Sequence, residues 1–216
     1  MTKASTHLLK KIYDLFFPYF RSRRMRKFMA LIQPGDGSKI LDVGGTRDIW
    51  DYAELRAHIT LLNVVIPQDT TAMPEQFTYI KGDGTNLEFP DQVFDICFSN
   101  SVIEHLGTIE RQREFAREVR RVGRQLWVQT PARSFFIEPH WLAPFIHYFP
   151  ASVQRKLVRY FTLRGWLLRP DPETIDRFLA ELRPLSFREM RELFPDCDIL
   201  VERFLGMAKA YIAVRR

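Results

Sequence analysis

Cysteine is scarce in this chain, and long apolar runs are missing. The 216 residues include 2 cysteines, Cys97 in an apolar run and Cys197 in a Pro-Asp-Cys-Asp turn. This arrangement is typical neither of a disulfide framework nor of a metal site, so we predict no metal and a reduced, cytoplasmic setting. Asp14 and Pro18 interrupt the early apolar stretch and no segment reaches bilayer length, so we expect neither a secretory signal nor a membrane-spanning helix.

Glycine is also sparse, with 10 residues in the chain. The pattern Gly-x-Gly-x-x-Gly is missing after the first predicted strand. Nicotinamide-dependent oxidoreductases need this pattern to bring a helix N-terminus to the pyrophosphate, so this enzyme class is disfavoured. Internal repeats and low-complexity tracts are missing too, and we predict one domain with an extension or insertion.

Acidic residues are outnumbered by basic ones. The chain has 32 Lys and Arg against 26 Asp and Glu, a net charge of +6. Such an excess suits an anionic partner, whether nucleic acid, anionic lipid or a phosphorylated substrate, but six charges are a weak argument. Hydrophobic residues make up 46% of the chain, which is enough for a sizeable core.

The rest of the chain is organised around the stretch Lys39–Asp48. A short apolar run, Lys39–Val43, contains Asp42 and ends in Gly44 and Gly45. This pattern indicates a buried strand followed by a glycine turn. Open α/β sheets bind ligands at the carboxyl ends of such strands. A carboxylate there suits a ligand with positive charge or with hydroxyl and amine donors, and it would repel a pyrophosphate.

Strand-like and helix-like segments then alternate. Strands are predicted at 40–43, 59–65, 77–81, 94–98 and 125–129, and helices at 50–57 and 109–122. Two further strands at 199–205 and 208–214 are joined by two residues, so they must form an antiparallel hairpin. The pattern predicts an α/β fold, a Rossmann-like, doubly wound, mostly parallel seven-stranded sheet with a C-terminal antiparallel hairpin.

Residues 6–33 are predicted to form two short helices separated at Pro18. Apolar residues repeat at helical spacing on both sides of it: Leu8, Ile12, Leu15 and Phe16, then Met25, Phe28, Met29 and Ile32. Between them lies a basic cluster of Arg21, Arg23, Arg24, Arg26 and Lys27. We favour a solvated helix face for this cluster; the alternative is contact with a membrane surface or an anionic substrate.

Residues 131–184 interrupt the alternation with a segment rich in Phe, Trp, His and Pro. A connection of this length is usually functional or carries its own structure, and we predict helices at 152–160 and 172–182. Asp171 and Pro172 have the residue types of a helix start. Ser186 and Glu189 are predicted to form the capping box of a last helix that ends at Phe194.

A parallel sheet that ends in an antiparallel hairpin resembles the class I S-adenosylmethionine-dependent methyltransferases, of the small type 11/12-like kind. The resemblance covers about residues 38–130 and 186–215 and lies in five segments, 41–46, 61–63, 81–87, 94–106 and 127–131. It implies S-adenosylmethionine as the cofactor. It also implies a helical extension at 1–37, a cofactor-binding core at 38–130, a substrate-side insertion or lid at 131–185, and a last helix and hairpin at 186–216.

The same resemblance implies the cofactor-binding residues, which are Asp42, Gly44, Gly45, Asn63, Asp83, Gly84, Ser99 and Asn100. Asp83 resembles the residue that accepts a hydrogen bond from the adenine amino group. Asn63 stands where the family usually has an acid that holds both ribose hydroxyls. Because charged acceptors bind more strongly, we expect Asn63→Asp to tighten cofactor binding by about 1 kcal/mol.

The acceptor side depends on residues of the insertion. Residues 131–141 are similar to stretches in small methyltransferases associated with glycan and lipid-linked substrates, which implies O-methylation of a small-molecule, glycan or lipid-linked acceptor. A hydroxyl nucleophile must lose a proton, and the candidates for the general base are His105, Glu138, His140 and His147, with His140 first and His105 second. The alternatives are a capping role for His105 and a packed histidine among aromatics for His140.

Two other functions stay open. A protein that binds S-adenosylmethionine or S-adenosylhomocysteine without catalysis would fit the reduced glycine turn, and cofactor binding without turnover would identify it. A nucleic-acid methyltransferase would fit the positive charge. However, the Asn/Asp-Pro-Pro-aromatic motif of base-methylating enzymes is replaced here by the residues from Ser99 to Val102, and we expect no nucleic-acid partner.

Overall fold

The computed structural model describes residues 3–67, 73–138 and 140–216, with side chains from residue 18 onward. Nine strands follow one another along the described chain: β1 (Lys39–Val43), β2 (His58–Asn63), β3 (Phe77–Lys81), β4 (Phe94–Asn100), β5 (Gly123–Pro131), β6 (Ile137–Glu138), β7 (Ala143–Pro144), β8 (Asp198–Phe204) and β9 (Met207–Arg215). Seven of them form one sheet in the order β3-β2-β1-β4-β5-β9-β8, and β6 pairs with β7 separately.

The described helices are α1 (Lys3–Ile32), α2 (Ile109–Val122), α3 (Ala151–Phe161), α4 (Leu163–Leu168), α5 (Pro172–Glu181) and α6 (Phe187–Leu193). Short 3₁₀ helices lie at Arg47–Tyr52, Ile103–His105 and Ile146–Tyr148. Among the described residues, no helix is long and apolar enough to cross a membrane.

Strand pairing confirms the predicted fold class. Strands β1 to β5 run parallel to their neighbours, whereas β9 is antiparallel to both β5 and β8. The carboxyl ends of the parallel strands therefore meet along one edge of the sheet, called the carboxyl edge below. This is the edge at which open α/β sheets bind ligands.

Each face of the sheet is covered by helices. One face packs against α1 and the first 3₁₀ helix, through a cluster that includes Met25, Phe28, Ile32, Trp50, Phe98 and Trp127. The other face packs against α2 and α6, through a cluster that includes Phe115, Val119, Val122, Met190 and Phe194. The predicted bounds of α2 are confirmed, as is the capping box in which Ser186 and Glu189 bond each other's backbone amides.

The N-terminal segment differs from the prediction of two helices. Helix α1 is continuous and contains Pro18 within it. Proline inside a helix removes one backbone hydrogen bond and disfavours the helix, but it did not end this one. The buried residues Met25, Phe28 and Ile32 anchor the following turns to the sheet, and such packing overrides local propensity. The stripe predicted before Pro18 lies outside the described side chains.

The basic cluster of α1 is also only partly as expected. Arg23, Arg26 and Lys27 are exposed, as predicted for a solvated face. Arg24, by contrast, is 7% exposed and reaches the carboxyl edge, where its guanidinium contacts Asn100 and Glu202. The prediction was wrong for this residue because its side chain finds buried acceptors.

The helix predicted at 50–57 is replaced by the 3₁₀ helix Arg47–Tyr52. Two consecutive residues, Ile49 and Trp50, are buried in it, and the Trp50 indole donates a hydrogen bond into the sheet at Asp42. Ala53 then adopts an extended conformation, with φ −127° and ψ 121°. The chain therefore leads toward β2 without a full helix.

The insertion contains the two predicted helices, as α3 and α5. Asp171 caps α5 by accepting a hydrogen bond from the Thr174 amide, as its residue type predicted. Helix α4 and the β6–β7 ribbon were not predicted. A separate small core holds this segment together, made of Trp141, Ala143, Ile146, Val158 and Ile175.

Candidate active site

The glycine turn after β1 has no room for side chains. Gly44 has φ +75°, and a Cβ there would lie 2.7 Å from the side chain of Val102. A Cβ on Gly45 would lie 1.9 Å from the carboxylate of Asp42. Both glycines are therefore required by packing within the protein itself, and the turn can do without the further glycines common in the family.

Asp42 lies beneath this turn and is fully buried. Its Oδ2 accepts a hydrogen bond of 2.8 Å from the Trp50 indole, and its Oδ1 has no partner among the described residues. Burial raises the pKa of Asp42 to about 7, although the Trp50 hydrogen bond lowers it in part. The carboxylate therefore supports the turn from below instead of lying at the surface.

Asn63, at the end of β2, holds the turn from the side. Its Nδ2 donates a hydrogen bond of 2.8 Å to the carbonyl of Gly45. Backbone bonds from Gly44 to Leu62 and from Gly82 to Asn63 join the same strand ends. Because the amide nitrogen is occupied, the Oδ1 of Asn63 is the atom left to accept a hydrogen bond from a ligand.

Asp83 lies in the loop after β3 and is partly exposed. Its Oδ1 accepts hydrogen bonds from the amide and hydroxyl of Thr85, at 2.9 and 2.8 Å, and its Oδ2 contacts Arg111 at 3.1 Å. The Thr85 amide, with the other bonds and Arg111, lowers the pKa of Asp83. This carboxylate is ionised at neutral pH. Gly84 beside it packs on Val43 and Phe115.

Ser99 and Asn100, at the end of β4, are both occupied by contacts within the protein. The Ser99 hydroxyl is buried and donates to the Val43 carbonyl at 2.9 Å. The Oδ1 of Asn100 accepts from Arg24 at 2.7 Å. The structure therefore places all the predicted cofactor residues along or just beneath the carboxyl edge. The side chains of Asp42 and Ser99 face inward, toward the protein interior.

The groups at this edge fit S-adenosylmethionine. The Oδ1 of Asn63 and the carboxylate of Asp83 are acceptors at the ends of adjacent strands, and the ribose hydroxyls and adenine amino group are donors. Asn63, Asp83 and the backbone of the Gly44–Gly45 turn would hold the cofactor. When bound, it supplies a sulfonium methyl group as the electrophile.

A second group of side chains lies where the insertion meets the segment after β4. Glu104 and His105 belong to the 3₁₀ helix after β4, and His140 follows β6. The rings of His105 and His140 have their centroids 4.6 Å apart. Nδ1 of His140 forms a hydrogen bond of 2.6 Å with Glu138, whose other oxygen accepts from the Trp141 amide. We call Glu104, His105, Glu138 and His140 the histidine cluster.

Burial and charge set different pKa values within the histidine cluster. Burial, and to a lesser degree the neighbouring His140, lower the pKa of His105 to about 4. Burial also opposes the charge of His140, but the hydrogen bond and charge of Glu138 outweigh it, so the pKa of His140 is raised. His105 is therefore neutral at neutral pH, and His140 is the stronger base of the two.

Glu104 is a fully buried member of the cluster. Its Oε2 accepts a hydrogen bond of 2.9 Å from Thr130, and its Oε1 has no partner among the described residues. Burial raises the pKa of Glu104 to about 7. Glu104 was not predicted as a site residue, and its position directly before His105 was the signal in the sequence.

The cluster is joined to the cofactor edge by a short segment. Val102 packs against Gly44, and Glu104 follows two residues later. A small cavity of about 10 Å³ beside the cluster is lined by Glu104, Ala132, Glu138, His140, His147 and Leu182, among others. This space is about that of a single water molecule.

Three residues of the cluster could hold a metal ion. One ligand atom each of Glu104, His105 and His140 lies within 4.8 Å of the others. Imidazole and carboxylate ligands suit divalent transition metals, and Glu138 would orient His140 from behind. No metal was predicted because the cysteine spacing is not typical of a metal site, and the fold alone brings His140 to the adjacent Glu104 and His105.

Comparisons with known proteins agree with this geometry. Residues 47–125 match the family model described as a methyltransferase domain. The chain is similar to magnesium protoporphyrin IX methyltransferase from Synechocystis PCC 6803 with bound S-adenosylhomocysteine, at 12% identity and a TM-score of 0.57, with 96% of this chain and 87% of that chain covered. No curated protein sequence matches the chain.

A second solved structure has the same fold. It is the 1,6-didemethyltoxoflavin-N1-methyltransferase from Burkholderia thailandensis, at 11% identity and a TM-score of 0.53, with 98% of this chain and 85% of that chain covered. Likeness at such identities shows the fold alone, and the activity rests on the family match. The family match and the fold support a class I S-adenosylmethionine-dependent methyltransferase, with S-adenosylmethionine as its methyl donor.

Proposed function

We propose that the protein methylates a hydroxyl group of a small-molecule, glycan or lipid-linked acceptor, and that the acceptor binds at the histidine cluster. The observation that carries this proposal is the hydrogen bond between Glu138 and Nδ1 of His140. It fixes the ring so that Nε2 is the nitrogen available to take a proton. A fixed tautomer of this kind is what a general base requires.

In this proposal, His140 accepts the proton of the acceptor hydroxyl at Nε2. Glu138 stabilises the resulting imidazolium, and Glu104 adds negative charge nearby when it is ionised. His105 is the second candidate, but its low pKa makes it the weaker base. The Asn63 and Asp83 acceptors hold the donor at the neighbouring edge, so positioning of the two reactants contributes much of the rate.

The test uses S-adenosylmethionine labelled in its methyl group and a panel of hydroxyl-bearing acceptors: free sugars, sugar phosphates and polyprenyl-phosphate-linked sugars. His140→Ala is expected to reduce turnover by about 10²–10⁴-fold with cofactor affinity near wild type. Full activity in this variant would remove His140 as the base.

Further measurements distinguish hydroxyl methylation from nitrogen methylation, from a metal-binding role of the cluster and from methylation of nucleic acid. Label recovered on nitrogen would contradict hydroxyl methylation. Activity lost with a chelator and restored by a divalent ion would assign the cluster to metal binding instead of proton transfer. Transfer to RNA or DNA in place of the panel would favour the nucleic-acid alternative.

A further inference from the structure

We propose that the outer surface of the insertion binds an anionic lipid membrane. Six aromatic side chains of the insertion are exposed, and we call them the aromatic face: Phe145, Tyr148, Phe149, Tyr160, Phe161 and Trp166. The inference concerns exposed side chains of the insertion and holds whichever acceptor is methylated.

The degree of exposure is the first observation. Tyr160, Phe161 and Trp166 are 71%, 73% and 63% exposed. Each aromatic side chain has roughly 150–250 Å² that it could bury, and single exposed apolar residues are ordinary in proteins. Here the exposed aromatics are grouped, since Tyr160 and Trp166 line one surface depression and the ring centroids of Phe145 and Tyr148 lie 6.4 Å apart. Concentrated apolar surface marks an interaction site.

The exposure does not come from poor packing of these helices. Val158 of α3 is fully buried in the small core of the insertion. Gly165 of α4 lies so close to α3 that a Cβ would be 1.8 Å from the Val158 carbonyl. Close packing on the inner side therefore fixes which residues point outward, and the aromatic face is a built surface.

Positive charge accompanies the aromatic side chains. Arg159 and Arg169 line one surface depression together with Tyr160 and Trp166. In the part of the chain that the structure describes, Arg159 and Arg169 form no ion pair, and neither does Lys156. These charges are thus available to an anionic partner.

A membrane surface fits this combination better than a second copy of the chain. Tyrosine and tryptophan are enriched where apolar and polar regions of a bilayer meet, and arginine extends its charge to the headgroups. Two copies joined through this face would bring the same positive charges together. Since no described helix can cross a bilayer, the contact would lie on the membrane surface.

The test measures binding of the full chain to vesicles of phosphatidylcholine alone and of phosphatidylcholine with 30% phosphatidylglycerol, by flotation. Binding is expected with the anionic vesicles and should weaken as salt is raised. Lys156→Glu with Arg159→Glu should reduce it at least about 25-fold, since each basic residue near the surface contributes about 1 kcal/mol, or about fivefold.

Tryptophan fluorescence reports the contact directly. Trp50, Trp127 and Trp141 are buried, so Trp166 is the one exposed tryptophan of the chain's 4. Its emission should shift to shorter wavelength with anionic vesicles. Trp166→Phe should keep most of the binding and lose the shift.

A matched control distinguishes binding through the aromatic face from nonspecific binding through any exposed apolar residue. Tyr160→Ser with Trp166→Ser should abolish binding, whereas Val93→Ser, an exposed apolar residue beside the amino end of β4, should not change it. Absence of binding to anionic vesicles, equal loss in both variants, or a Trp166 shift caused by self-association without vesicles would overturn the proposal.

Discussion

At the residue scale, hydrogen bonds within the protein decide what the cofactor-side groups can do. Asn63 was expected to be a weak substitute for the acidic residue of the family. In the structure its amide nitrogen has a task that a carboxylate cannot perform, because it donates to the carbonyl of Gly45. The neutral residue thus stabilises the turn and leaves its Oδ1 to accept a hydrogen bond from a ligand.

This reverses the expectation for Asn63→Asp. The variant would place a carboxylate oxygen next to the Gly45 carbonyl at the present 2.8 Å contact, so the turn loses a hydrogen bond and gains repulsion. We expect the free energy of unfolding to fall by about 1–3 kcal/mol and S-adenosylmethionine affinity to fall with it. Denaturant unfolding and calorimetry measure the two effects.

Asn86→Asp is the matched control, because it introduces the same charge at an exposed position of the adjacent loop. It should leave both quantities near wild type. Tighter cofactor binding by Asn63→Asp, with unchanged stability, would restore the original expectation and show that the Gly45 contact contributes little.

At the scale of elements, Arg24 joins three parts of the fold. It extends from α1 to Asn100 at the end of β4 and to Glu202 in β8. Glu202 is 12% exposed and also bonds Lys209 at 2.8 Å. Nearby positive charges lower the pKa of Glu202 despite its burial. The helix is therefore attached beside the cofactor edge through a largely buried charge cluster.

Arg24→Met is expected to destabilise the protein by about 3 kcal/mol, because removing one member of a buried ion pair leaves the other poorly compensated. Because Lys209 still pairs with Glu202 in this variant, the loss of stability should lie at the lower end of the range usual for broken buried ion pairs. Arg23→Met, one residue earlier and exposed, should change stability by no more than about 0.5 kcal/mol. Equal effects in the two variants, measured by denaturant unfolding, would mean that the buried contacts of Arg24 are not important.

The elements that could be predicted from sequence are those whose pattern is local. Both ends of β3 and of α2 were predicted correctly. The pattern of β3 is an apolar run bounded by turns, and the pattern of α2 is a charged helix with an inward apolar stripe. In both cases the residues of the segment itself determine the structure. The first 3₁₀ helix was not predicted, because Trp50 is held there by Asp42 across the turn. The continuous helix α1 was not predicted either, and two helices separated at Pro18 were expected in its place. Packing against the sheet stabilises α1, and this contact is not visible in the local sequence.

The candidate site divides in the same way. The glycine turn and Asp83 are carried by motifs along the chain and were expected in their places at the carboxyl edge. The meeting of Glu104, His105 and His140 depends on how β6 returns the insertion to the end of β4, and no spacing in the sequence encodes this contact.

At the scale of the whole molecule, buried carboxyl groups oppose stability at neutral pH. The folded-state pKa of Asp42, about 7, lies above its ordinary value of 3.8. The folded protein therefore holds a proton that the unfolded chain has released between these values, and stability falls as pH rises through this range. The Asp42 contribution is at most about 4 kcal/mol, from about 3 pKa units at 1.36 kcal/mol each.

Asp42→Asn should remove this contribution. We expect the free energy of unfolding of the variant to decline less than that of the wild type between pH 5 and pH 7, and to exceed it most clearly at pH 7. Asp51→Asn, at an exposed carboxyl group, serves as the control and should keep the wild-type profile. Parallel profiles for all three proteins would show that Asp42 is hydrated or paired in the folded state.

The most direct test of the account is a calorimetric titration of S-adenosylmethionine into the wild-type chain, Asp83→Ala and Asp91→Ala. We propose that Asp83 accepts a hydrogen bond from the adenine amino group. Loss of a hydrogen bond to a charged acceptor, about 1.5–3 kcal/mol, should weaken binding at least about tenfold. Asp91, an exposed carboxylate paired with Arg121, should have no effect. The account predicts binding by the wild type, weaker binding by Asp83→Ala and unchanged binding by Asp91→Ala; no binding by the wild type, or equal affinity in all three, would contradict it.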